Sequence, residues 1–183
     1  VMICEIDFPG TSANANDRWR ARFAHPHRVL LAYTLDQVVD VIAEAEQAAR
    51  DEHWVIGHVA YEAAAAFDDA LQTRPADDGL PLAAFAVYGY AEPVLAAVDA
   101  SAIRCGPWSM IDAQSKIETD IGTIRNAIDH GDYYQVNYTT RLEATFDQDP
   151  AALYAALRMA QPGGYCASID GGDWQIVSVS PEL

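Results

Sequence analysis

Tyr165-Cys166-Ala167-Ser168-Ile169-Asp170-Gly171-Gly172-Asp173-Trp174-Gln175-Ile176-Val177-Ser178-Val179 decides the fold class. Two runs rich in β-branched and aromatic residues flank a four-residue turn with paired glycines, which predicts an antiparallel hairpin. Just upstream, Asp149 and Pro150 form a cap with proline at the first helical position. Leu153, Tyr154 and Leu157 then supply the apolar stripe of a short helix. From Tyr134 to Phe146 the chain alternates: Tyr134, Val136, Tyr138, Leu142, Ala144 and Phe146 share one face, and Gln135, Asn137, Thr139, Arg141 and Glu143 share the other. That pattern predicts a strand with one wet face. Ahead of it, Ile117, Ile121, Ile124 and Ile128 recur at helical spacing with Gly131 as a stop, predicting a helix over 114–130.

The first part of the chain repeats these themes. Leu35, Val38, Ile42, Ala45 and Ala49 fall on one stripe, predicting an amphipathic helix over 35–50. Trp54–Tyr61 and Leu82–Tyr90 read as largely covered strands, separated by a loop over 72–81 with Pro75, Gly79 and Pro81. Hairpins and helices without strict alternation indicate an α+β fold with antiparallel sheet, in one domain or part of one.

Of 183 residues, 51% are hydrophobic, enough for a core. Eleven Lys and Arg against 27 Asp and Glu give a net charge of −16, a field that repels nucleic acid and anionic membranes. A pocket for a small anion needs local cations or a metal, and only Lys116 and ten arginines are available. Cys4, Cys105 and Cys166 are odd in number and far apart, which argues for reduced thiols in a cytoplasmic protein. No apolar run approaches the roughly 20 residues of a membrane span, and Glu5 and Asp7 stand where an export signal carries positive charge.

Phosphate loops, dinucleotide fingerprints, paired zinc histidines and serine nucleophile elbows are all missing from the sequence. His25 and His27 flank Pro26 and need no ligand; the acidic Asp68, Asp69, Asp77 and Asp78 read as solvated loop. Two features suggest more. Gln135, Asn137 and Thr139 form a neutral polar face fit to line a pocket, where a face meant for water usually carries charge. Glu182 follows Pro181 beyond a strand, a way to present a carboxylate for acid or base work, although residue types alone favour a solvated glutamate.

The residues from Gly131 to Leu142, GDYYQVNYTTRL, resemble a strand motif of the chorismate-utilising enzymes that aminate their substrate. Val177–Leu183, VSVSPEL, resembles the next motif of that family. Upstream, Gly57–Ala64 with Phe67, and Phe85–Tyr88, resemble the aminodeoxychorismate synthase component I branch. The resemblance implies two related halves whose sheets pack into four layers, α/β/β/α, with about one half here and helices on one face of its antiparallel sheet. Family members run well over twice this length, so the resemblance leads us to expect that residues 1–183 are an N-terminal portion, incomplete at the C-terminus, with apolar sheet surface that is normally covered.

It further implies that Glu182 is the general acid for the departing C4 hydroxyl of chorismate. A carboxylate must be kept protonated for that. Gln135 takes the position at which water-adding relatives carry a lysine base; an amide has no such basicity, which favours amination. Asn137 and Arg141 are the substrate-binding candidates. Tyr134 and Tyr165 match positions near a regulatory tryptophan pocket of some members, whose N-terminal motif is not evident here, and Gly164 replaces a usual proline. The implied cofactor is Mg2+, with ligands in the C-terminal part, and the implied partner is a glutamine amidotransferase supplying ammonia. A lysine of later family segments attacks C2, Lys116 does not replace it, and residues 1–183 alone are expected to be inert. Anthranilate synthase component I is the nearest alternative; a non-catalytic amino-acid-binding or amidotransferase-docking module is another.

Overall fold

The computed structural model describes residues 1–10, 17–75, 79–94, 99–100 and 103–181. The chain divides into two compact units, Val1–Ser101 with Asp149–Leu183, and Ala102–Gln148.

The larger unit holds two antiparallel sheets. In the first, β1 (Ile3–Pro9) lies between β2 (Arg18–Phe23) and β8 (Tyr165–Asp170), and β9 (Gln175–Ser180) completes the order β2-β1-β8-β9. In the second, β5 (Ala83–Tyr88) lies between β3 (Arg28–Ala32) and β4 (Trp54–Val59). The period-two rule makes each strand two-faced. Met2, Cys4, Ile6, Ala21, Phe23 and Ile169 from the first sheet meet Ala84, Ala86 and Tyr88 from the second, and this inter-sheet layer is the main core. Tyr88 is fixed within it, its hydroxyl donating to the Met2 carbonyl at 3.0 Å.

Each sheet carries a helix on its other face. α1 (Leu35–Arg50) lays Val38, Val41 and Ile42 against Ala32, Ala63, Leu82 and Ala83. Its entry is set by Gln37, whose side-chain oxygen accepts from the Tyr33 and Thr34 amides at 2.9 and 3.3 Å. The buried stripe is Val38, Ala45 and Ala48, whereas Leu35 and Ala49, expected inside, are exposed. α3 (Pro150–Ala160) packs on β8 and β9, capped by the Asp149 carboxylate, which accepts from the Ala151 amide at 2.9 Å. Ala152, Tyr154 and Ala155 are its buried residues; Leu157, expected in the stripe, is exposed.

The hairpin stands as read, with Ala167 opposite Ser178 and Gly172 at φ 93° in the turn. β4 ends at Val59, and Tyr61–Ala66 forms a 3-10 turn instead of continuing the strand. β1, β2 and β3 were not anticipated.

In the smaller unit, α2 (Gln114–His130) closes on Gly131 at φ 83°. The Gly131 amide donates to Ile128 at 3.0 Å and the Asp132 amide to Ala127 at 2.9 Å, a paired closure that needs the left-handed glycine. None of its residues is buried.

The strand expected over Tyr134–Phe146 is not formed. Only Leu142–Glu143 (β7) is extended, paired with Ser109–Met110 (β6), and Tyr134 is 95% exposed. Alternation favours a strand only where a neighbouring strand accepts its ladder, and here that ladder is two residues long. Tyr138 instead turns toward α2, its hydroxyl donating to Asp120 at 2.9 Å.

Candidate functional site

The polar segment after α2 is held by side-chain bonds in place of a sheet. Besides the Tyr138 contact, Lys116 pairs with the same Asp120 carboxylate, and the Thr140 hydroxyl donates to Asp112 at 3.0 Å. Hydrogen bonds from Lys116 and then Tyr138 pull the Asp120 carboxyl below its ordinary value. The Arg141 carbonyl accepts from the Ile111 amide at 3.1 Å, carrying the segment into the β6–β7 ribbon.

Within this segment Gln135 and Asn137 come together. The Gln135 amide nitrogen donates to the Asn137 side-chain oxygen at 3.4 Å, and both side chains are exposed. Two amides side by side offer donors and acceptors to a ligand but no group that can take up a proton near neutral pH. Arg141 and Tyr134 are also exposed.

Tyr165 belongs to the other unit. It begins β8 opposite Ser180 and packs edge-on against Phe8 at 5.5 Å. The preceding Gly164 has a local reason to be glycine: a Cβ there would lie 2.7 Å from the Ser180 carbonyl oxygen. Its amide also donates to the Gln161 carbonyl at 3.2 Å, a bond that proline, lacking the N–H, cannot make. Glu182 lies outside the described residues.

The sequence reading missed the charged outer face of the first sheet. Asp7, 1% exposed, is met by Arg18, by Arg20 at 3.0 Å and by Arg158 of α3 at 3.2 Å. The signal was present, since Arg18, Arg20 and Arg22 alternate with Trp19, Ala21 and Phe23. Beside this cluster a cavity of about 510 Å³ lies between α3 and the sheet, lined by Glu5, Arg20, Arg22, Tyr154, Arg158 and Asp170, among others. Burial raises the Glu5 carboxyl above its ordinary value, against the opposing pull of Arg158. Its arginines already face carboxylates, Arg22 pairing with Glu92 at 3.1 Å.

Residues 101–183 match the family of chorismate binding enzymes. That stretch takes in Gln135, Asn137, Arg141, Tyr165 and Glu182. Among curated proteins, the chain is 36% identical over 70 residues to anthranilate synthase component 1 of Synechocystis sp., covering 38% of this chain and 14% of that protein. It is 35% identical over 82 residues to anthranilate synthase component 1 of Thermus thermophilus, covering 43% and 18%. It is 37% identical over 60 residues to aminodeoxychorismate synthase component 1 of Bacillus subtilis, covering 33% and 13%. The matched stretches thus span less than a fifth of these relatives. No solved structure gives a significant match. Among the described residues no three His, Cys, Asp or Glu side chains converge on a possible metal site, and no helix is long and apolar enough to cross a membrane.

Proposed function

We propose that this chain is part of a cytoplasmic chorismate-utilising synthase that adds nitrogen, in the aminodeoxychorismate synthase component I branch. Chorismate and ammonia are the substrates and 4-amino-4-deoxychorismate the product, with ammonia supplied by a glutamine amidotransferase. Gln135 is the residue on which the reading rests. Its side chain lies against a second amide, Asn137, so this position has no general base to activate water. In this reading Asn137 and Arg141 bind the substrate. Glu182, held protonated, donates its proton to the departing C4 hydroxyl. Mg2+ would neutralise the substrate carboxylate, but the described residues offer it no cluster of ligands, and it carries none of these steps.

Tyr61-Glu62-Ala63 favours the aminodeoxychorismate branch over anthranilate synthesis. The latter stays the second reading, because two of the three relatives named above are anthranilate synthases. The test is to supply the full-length natural polypeptide containing these residues with chorismate, Mg2+ and 15N-ammonia and to identify the product. Labelled 4-amino-4-deoxychorismate is expected. Labelled anthranilate would move the chain to the second reading, and isochorismate would overturn amination altogether. Calorimetry with tryptophan and with a glutaminase subunit tests the non-catalytic module, which predicts binding without turnover.

A further inference from the structure

His58 lies on the inner face of β4, where sequence alternation alone would place an apolar side chain. Its Nε2 is 3.2 Å from the Pro81 carbonyl oxygen, so that nitrogen carries the proton and donates. Nδ1 is buried and has no hydrogen-bond partner. Trp174, on the turn between β8 and β9, packs against the imidazole at 5.0 Å with the planes 73° apart. The contact joins the two sheets at one end of their shared core. The same Trp174 is a wall of a cavity of about 360 Å³, together with Val1, Met2, Val29, Leu31 and Tyr33.

We infer that His58 and Trp174 form an acid-sensitive latch, closed while the imidazole is neutral and released on protonation, which opens the cavity between β3 and the β8–β9 turn. A neutral imidazole leaves Nδ1 as a bare acceptor, which the buried site tolerates. A second proton turns it into a buried N–H with nothing to donate to, and the group must then move to water. The indole attracts a cation, but burial outweighs this: it is the largest influence on His58 and holds the imidazole below its ordinary value. The titratable groups on the surrounding elements are Asp170 of β8, Asp173 of the turn, Cys4 of β1 and Tyr88 of β5. None contributes to the His58 shift, which comes from burial opposed by the Pro81 carbonyl.

The test uses the full-length natural polypeptide containing these residues with 5-fluorotryptophan in place of tryptophan, the Trp174 resonance being assigned by Trp174→Phe. Between pH 7.5 and 5, the 19F signal of Trp174 is expected to shift and its H2O/D2O isotope effect to grow. The midpoint should fall below pH 6.5 and coincide with that of the His58 13Cε1 signal. His58→Gln keeps a donor for the Pro81 carbonyl without titrating, and its Trp174 signal should stay flat. A flat signal in the unaltered chain, a shift with no gain in solvent exposure, or the same shift in His58→Gln overturns the latch. Should His58→Gln fail to fold, disagreement between the His58 and Trp174 midpoints overturns it instead.

Discussion

Arg18 and Gly164, 146 residues apart in sequence, meet across β1: the guanidinium Nη2 donates to the Gly164 carbonyl at 2.7 Å. The same nitrogen donates to the Asp7 backbone carbonyl at 2.8 Å, and Nε pairs with the Asp7 carboxylate. One side chain on β2 therefore fixes the start of β8, and Asp7 is what holds that side chain in place.

Removing the Asp7 carboxylate leaves Arg18, 12% exposed, as an unbalanced buried charge. Asp7→Ala is expected to lower unfolding stability by about 3–5 kcal/mol in urea titrations. Arg20→Ala removes a 53% exposed partner and is expected to cost at most about 1 kcal/mol. Equal losses in the two variants would show that the cluster is not organised around Asp7.

Glu5 gives a pH dependence of defined sign. Its folded carboxyl titrates above the unfolded one, so its contribution is fully present at pH below the unfolded value and is lost as pH rises through the raised folded value. Glu5→Gln is therefore expected to raise the melting temperature at pH 7 and to leave it unchanged near pH 4. A variant less stable at pH 7 would mean that the Arg158 pair outweighs burial.

Thiol reactivity should be ordered by position. Burial raises the Cys4 thiol to about 11, its sulfur lying 3.2 Å from the Tyr88 hydroxyl, and burial raises Cys166 as well. In Ellman titrations at pH 8 the half-buried Cys105 is expected to react first, the other two only on unfolding. Rapid native modification of Cys4 would contradict the inter-sheet core.

Gly131→Ala puts a side chain on a backbone at φ 83° and is expected to cost about 1 kcal/mol, with fraying of the last turn of α2 visible in amide exchange. Protection unchanged at Ile128 and Asp132 would mean that the closure does not depend on glycine.

For the proposed chemistry, Glu182→Gln in the full-length enzyme removes the proton donor and is expected to lower kcat by about 10²–10⁴-fold with KM little changed. Gln135→Lys supplies a base and is expected to divert product from the amine toward the alcohol. A Glu182→Gln enzyme with full turnover would remove the acid from the mechanism.

The three helices were legible because caps and period agree: Asp149-Pro150 starts one, Gly131 ends another, and Val38, Ile42 and Ala45 share a stripe in the third. The hairpin was legible from its two glycines. β1 and β2 escaped notice because charges interrupt their apolar residues, although Glu5 and Asp7 against Cys4 and Ile6 is itself alternation. Tyr134–Phe146 misled for the opposite reason: its pattern is regular, but pattern does not provide a neighbouring strand. Of the candidate site, the proximity of Gln135 and Asn137 follows from their spacing of two. The Asp7 cluster required knowledge of tertiary packing, since Arg158 lies on α3, 151 residues away.

Because β1 is clasped between β2 and β8, it waits during synthesis for a partner made about 160 positions later. Until then the ribbon of β1 and β2 leaves open the edge that β8 later takes, with its apolar face uncovered. Arrival of β8 closes that edge, so this late pairing is the step at which association with other copies competes with folding.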